Sequence, residues 1–312
     1  RVSAFMQGRL GPNRVGPQGL LQPIADGIKF LMKEDIIPAE VNKPIYLLAP
    51  AMLLIPALMT FAVIPFGSTI TLFGREVPLQ VADLNVGILY ILALTSIGVY
   101  GLVLAGWASN SKYSLIGGLR SSAQLISYEL AMGLSVVSVI LLAGSLKLNV
   151  IVEDQQGYLL SWNVFKQPVA FLIFLVAVFA ETNRLPFDLT EAEQELVGGY
   201  HTEYSSMKFA MFFTAEYANM VTAAALTVTL FFGGWDVPLL NETSMGALGA
   251  ILSVLSFILK TAFFLFLFIW VRWTFPRFRY DQLMKLGWKV MLPLALINIF
   301  VTGGYLTLTS LR

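Results

Sequence analysis

Apolar stretches close to bilayer length recur along the chain, at residues 44–66, 85–107, 122–144, 166–182, 207–232, 245–271 and 287–310. A hydrocarbon core of about 30 Å takes about 20 helical residues to cross, so each stretch predicts one transmembrane helix. The stretch at 166–182 is the shortest. Residues 1–19 interleave Arg, Gly and Pro, and predict a loop with turns at Gly11-Pro12 and Gly16-Pro17. Residues 20–33 follow a helical period instead. Leu20, Ile24, Ile28 and Leu31 share one face, and Gln22, Asp26, Lys29 and Lys33 take the other. That segment is too polar to span and predicts an amphipathic helix lying in the membrane interface, with packing on a soluble partner as the alternative.

The pattern therefore predicts an all-α membrane protein. It is a polytopic helical bundle forming a single membrane domain over 1–312, with seven transmembrane helices and one interfacial amphipathic helix. Eight transmembrane helices are expected in the full protein: the chain opens at Arg1, and seven spans put its two ends on opposite sides, which is consistent with one further helix before Arg1 without requiring it. Composition agrees. The chain is 57% hydrophobic and 12% charged, where a soluble domain carries about 25% charge. Mean hydropathy is +0.74.

Charge adds a direction. Fifteen of the twenty Lys and Arg fall in the segments 1–43, 108–121, 183–208 and 272–289, which lie on one side of the predicted bundle. Arg75, Lys147, Lys166 and Arg312 are the four on the other side, and Lys260 lies inside a span. The positive-inside rule places the crowded side in the cytoplasm or, for an organelle, the matrix. The net charge of +1 has no basic run suited to nucleic acid. With no cysteine and the single histidine His201, the chain has no ligand set for an iron–sulfur cluster, a bis-histidine haem or the usual zinc sites. No metal is expected on it. If it serves a redox reaction, the electron carrier sits on a partner. P-loop, dinucleotide and nucleophile-elbow motifs are missing from the sequence.

The acidic residues carry the candidate chemistry. Six of the nineteen lie in 181–204: Glu181, Asp188, Glu191, Glu193, Glu195 and Glu203. Thr190 followed by Glu193 is a capping-box pattern, which makes part of the cluster ordinary helix chemistry. Asp188, Glu191 and Glu195 would share one face of a helix opening after Pro186. Glu181 and Arg184 are spaced to pair with each other. Glu129 and Glu216 lie inside apolar spans, each about two turns in from the cytoplasmic side. Lys260, mid-span, is the expected cation for both. An ionisable group at such depth costs roughly 2.5 kcal/mol or more. The arrangement suits either a structural ion-pair cluster or a proton relay through Glu129, Glu181, Glu216 and Lys260. Tyr128, Tyr200, Tyr204 and Tyr217 neighbour the acids and could bond a carboxylate or a quinone-like headgroup. His201 alone reads as structural or solvated more than chemical.

Four strings stand in order along the chain: GRLGPNRVGPQGLLQPIADGIK from Gly8, WASNSKYSLIGGLRSSAQLISYE from Trp107, AETNRLPFDLTEAEQELVGGYHTEYSSMKF from Ala180 and RFRYDQLMKLGWK from Arg277. Together they closely resemble the H subunit (mitochondrial subunit 1) of proton-pumping NADH:quinone oxidoreductase, respiratory complex I. In that family a further helix precedes the first string. The resemblance implies a multi-pass subunit of a bacterial or mitochondrial inner membrane. Such a subunit joins hydrophilic redox-arm subunits to small and antiporter-like membrane subunits, and lines a quinone chamber. It binds no cofactor alone. Quinone is the substrate, and FMN and the iron–sulfur clusters sit on partner subunits. Carried over by motif, Glu129, Glu181, Glu191, Glu193 and Glu216 match proton-path and chamber carboxylates. Asp188, Glu195, Glu203, Arg184 and Tyr204 share the loop that couples quinone to them. The rival readings are the membrane subunit of an energy-converting hydrogenase and a stand-alone proton-coupled transporter.

Overall fold

The computed structural model describes residues 1–72, 75–189, 197–238 and 246–310. Each of the seven apolar stretches is helical there. We label the helices in chain order: α1 (Val2–Met6), α2 (Gln22–Met32), α3 (Lys43–Met59), α4 (Gly87–Ala108), α5 (Lys112–Ala143), α6 (Leu148–Glu153), α7 (Asn163–Lys166), α8 (Pro168–Glu181), α9 (Ser206–Phe231), α10 (Ala247–Thr274), α11 (Tyr280–Lys285) and α12 (Leu292–Ser310). A π-helical stretch, Leu286–Met291, joins α11 to α12 without a break. Among the described residues, five helical runs are long and apolar enough to cross a membrane: Lys43–Val63, α4, α5, Leu248–Thr274 and Tyr280–Thr309. Helix α9 has the length but carries Lys208 and Glu216. Helix α8, with 14 residues, covers only about 21 Å.

Helix α5 is the axis of the bundle and packs against α4, α8 and α12, while α9 lies against α3 and α10. Small residues set the closest approaches. A Cβ on Gly106 of α4 would meet the Ser114 carbonyl oxygen at 2.5 Å, and one on Gly101 would meet the Leu53 backbone nitrogen at 3.0 Å. Backbones this close are the usual means of joining helices where lipid removes the hydrophobic drive between them. Helix α5 ends at Gly144, whose φ of 64° allows the left-handed cap and whose N–H donates to Ile140 O at 2.8 Å.

Several expectations change. The loop foreseen at 108–121 is confined to residues 109–111, because α5 begins at Lys112. Its first turns hold Gly117-Gly118, and a Cβ at Gly117 would meet the Gly199–Tyr200 backbone at 2.8 Å. Those turns are therefore a packing surface. Within the predicted N-terminal loop, Val2–Met6 is a helix touching α10. A hairpin pairs Thr69–Leu72 with Arg75–Pro78, a feature that two such short segments do not announce. The predicted amphipathic helix is α2. Ile24, Ile28 and Leu31 are exposed on it, and Phe30 faces Phe209 with ring centres 6.1 Å apart.

Candidate carboxylate site

Three helices each bring one carboxylate to a single enclosed cavity: Glu129 from α5, Glu181 from the last turn of α8 and Glu216 from α9. Thr95, Thr182, Asn183 and Asn219 add polar groups to its wall, and Leu53, Val99, Leu102 and Leu125 close it. The cavity measures about 30 Å³, room for about two water molecules. A second cavity of about 20 Å³ shares Thr95, Glu181, Thr182 and Asn219, and reaches Thr222. Through these shared residues the two make one seam, with its polar groups at Thr95, Glu181, Thr182 and Asn219.

Each acid is held separately. Glu216 is only 5% exposed. Its Oε1 accepts from the Tyr200 hydroxyl at 3.0 Å, and its Oε2 lies 3.9 Å from Arg184 Nη2. Arg184, also buried, lays its guanidinium over the Tyr217 ring at 4.5 Å. Glu129 accepts from the Ser96 hydroxyl. It also reaches a groove of about 490 Å³ between α4, α5 and α12, walled by Leu92, Ile126, Leu130, Leu134 and Leu292. Glu129 thus stands between the inner cavity and an outer apolar surface. Gln124 fixes the turn after α8, donating to Ala180 O at 2.7 Å and Phe187 O at 2.9 Å. That turn carries Asn183 and Arg184 to the seam.

Two pairings expected from spacing do not form. Arg184 goes to Glu216 instead of Glu181, since α8 ends at Glu181 and the chain turns away. Lys260 is not the cation of Glu129 and Glu216. Its ammonium donates to the carbonyls of Phe232 (2.9 Å), Gly234 (3.1 Å) and Asp236 (2.7 Å), which uses all three of its protons. It also lies 4.6 Å from the Trp162 ring centre. Phe232 follows the last turn of α9, sixteen residues or about 24 Å beyond Glu216. Lys260 thus caps the far end of that helix. Burial pushes the Asp236 carboxyl up, and the nearby Lys260 ammonium pulls it back down.

The acid-rich loop is only partly accounted for. Glu191, Glu193 and Glu195 lie outside the described residues. Asp188 is not in a helix, as an opening right after Pro186 would require, and its carboxylate takes Arg277 at 2.9 Å. Glu203 gives its backbone carbonyl to the Tyr46 hydroxyl at 2.7 Å. Tyr204 stacks on Tyr46 with ring centres 4.1 Å apart and donates to Tyr46 O at 3.2 Å, and it does not line the cavity of the three carboxylates. Its buried phenol is raised above the usual range. Tyr128 likewise donates to a backbone oxygen, that of Leu283. His201 sits among the rings of Tyr200, Phe209 and Phe213. Sequence reasoning does not find Thr95, Ser96, Asn183 or Asn219. Their one signal is polarity inside or beside an apolar stretch, which any structural threonine also gives.

Residues 1–303 match the family model described as NADH dehydrogenase. A protein of Geobacter metallireducens, named as an H subunit of NADH-quinone oxidoreductase, is 58% identical over 308 residues, covering 99% of this chain and 89% of its own length. The H subunit of the same name from Cytophaga hutchinsonii is 52% identical over 309 residues, with 99% and 90% covered. That of Salinibacter ruber is 58% identical over 307 residues, with 96% and 86% covered. With its bundle of long apolar helices and this extent of likeness, the chain belongs to the NADH dehydrogenase family.

Proposed function

We propose that this chain is a multi-pass membrane subunit of a bacterial NADH:quinone oxidoreductase, complex I, and that it couples quinone reduction to proton translocation through Glu216, Glu181 and Glu129. The observation that carries this reading is the convergence of those carboxylates, from three helices, on one polar seam. Tyr200 and Arg184 join that seam to the acid-rich loop. Glu216 is buried and Glu129 and Glu181 are half-buried inside the helix bundle, and the cost of placing acids there must be recovered elsewhere.

The chain supplies no redox ligands of its own. FMN and iron–sulfur clusters therefore belong to the hydrophilic subunits, and quinone is the substrate met at the loop. Quinone reduction beside residues 184–203 changes the charge facing Arg184 and Tyr200. Both hold Glu216, so its proton affinity responds. Carboxylates facing one small cavity titrate as a coupled set, and a proton gained at one site alters the others. The cavity that Glu216, Glu181 and Glu129 share has room for about two water molecules, the number a bridge between them would use. Glu129 then faces the outer apolar groove, which suits a helix of a small membrane subunit bearing its own protonatable group. The exposed apolar face of α2 lies in the membrane interface.

Replacing Glu129 or Glu216 by Gln in the assembled complex, reconstituted in vesicles, tests this. Quinone-dependent NADH oxidation and proton uptake should both fall, while NADH oxidation by a water-soluble acceptor stays unchanged. Full coupled activity in both variants would remove the relay.

A further inference from the structure

The start of α9 is tied to more neighbours than a helix end needs. Ser206, at a positive φ of 53°, turns its hydroxyl to the carbonyls of Phe30 and Lys33, both at 2.9 Å. Phe30 lies in the last turn of α2 and Lys33 is the extended residue that ends it, and the carbonyls at a helix end have no partner within their own helix. Ser205 accepts from the Ile36 N–H at 3.0 Å and donates to the Ile36 carbonyl at 3.2 Å. Lys208 is 9% exposed and forms a two-pronged ion pair with Asp35, in the segment just after α2. Its ammonium also lies 5.8 Å from the ring of Tyr46, near the start of α3. A non-glycine residue stays at positive φ only where its surroundings over-determine it. Here serine hydroxyls, a buried lysine and the Phe30–Phe209 contact all bind α2 to α9.

We propose that the Lys208–Asp35 pair is a positioning clamp that holds α2 in register with the helix bearing Glu216. Glu216 follows Lys208 by eight residues, or about 12 Å along α9. A helix transmits an axial shift over that distance almost undiminished. The apolar face of α2 is exposed among the described residues, so α2 rides on what lies against that face. The clamp passes its position to α9, and thereby to the distances that Glu216 keeps from Arg184 and Tyr200. Lys208 acts through Glu216, and the inference rests on the reading of Glu216 as a relay member.

The test uses the whole complex in vesicles. Asp35→Asn and Lys208→Gln should lower the number of protons moved per electron by about half or more. NADH oxidation by a soluble acceptor should not change, and the exchange Asp35→Lys with Lys208→Asp should restore much of the ratio. A pair that served folding alone would lower the amount of complex and leave the ratio intact. The second readout is independent of pumping. The chain has no cysteine, so Ile28→Cys and Met207→Cys give one label pair within it, spanning α2 and α9. Their distance distribution should broaden in Asp35→Asn and narrow again in the exchange. An unbroadened distribution in both single variants overturns the clamp. So does a broadened one with full coupling, provided Glu216→Gln is uncoupled. Full coupling in Glu216→Gln removes the underlying relay instead, whatever the labels show.

Discussion

Glu216 shows how a buried charge is tolerated here. It accepts a phenolic hydrogen bond on one oxygen and faces a guanidinium with the other, and it borders a cavity large enough for water. Removing its ionisable oxygen keeps the shape and ends the proton chemistry, so Glu216→Gln should cost about tenfold or more in coupled turnover. Tyr200→Phe removes one donor and leaves the acid. The carboxylate keeps Arg184 and the cavity, so turnover should fall less than in Glu216→Gln, with electron transfer to a soluble acceptor again intact. Equal losses in the two variants would mean that the phenol is needed as much as the carboxylate, and would overturn its reading as a mere donor to it.

At the scale of elements, two contacts hold the site from a distance. Gly117 lets α5 touch the Gly199–Tyr200 backbone, where an added methyl group would sit at 2.8 Å. Gly117→Ala should therefore displace Tyr200 from Glu216 and destabilise the subunit by about 1–3 kcal/mol, the usual range for overpacking. Coupling should fall in whatever complex still assembles. Lys260 closes the other end of α9. Lys260→Met leaves three carbonyls without their donor and Asp236 without its cation, a loss of about 2–3 kcal/mol in thermal stability. The sign with pH follows from Asp236. Burial favours its neutral form in the folded protein, so without the ammonium the carboxylate costs little when protonated and most when charged. The stability deficit of Lys260→Met should grow as pH rises, and adding Asp236→Asn should flatten that dependence. The proton-to-electron ratio of assembled Lys260→Met complex should stay near normal. A lowered ratio in that complex would return Lys260 to the relay.

For the molecule as a whole, the cation distribution predicts orientation, and the absence of native cysteine makes it measurable. Val77, on the hairpin, and Tyr113, at the start of α5, are both exposed. In intact cells a membrane-impermeant thiol reagent should label Val77→Cys and spare Tyr113→Cys. Inverted vesicles should reverse the result. Labelling of both from one side would overturn the bundle topology. Purified in mild detergent, the chain should come with hydrophilic and membrane subunits, because much apolar surface on α10 and α12 is uncovered within it.

Hydrophobic length and period are enough to place the helices, since a bilayer demands about twenty apolar residues whatever the neighbours are. They locate the amphipathic segment, the in-span positions of Glu129 and Glu216 and the crowded acids after Glu181. They fail where helices meet. Lys112 begins a helix because the glycines beyond it pack on another segment, and glycine alone does not say whether it packs or turns. Partners are the least legible layer. Spacing and depth pair Arg184 with Glu181, and Lys260 with the two acids inside spans, yet a chain turn sends the first to Glu216 and a helix end claims the second. Periodicity along one helix specifies which face a side chain takes. Which helix stands opposite, and at what height, depends on contacts between segments far apart in the chain, and those distances select a charge's partner.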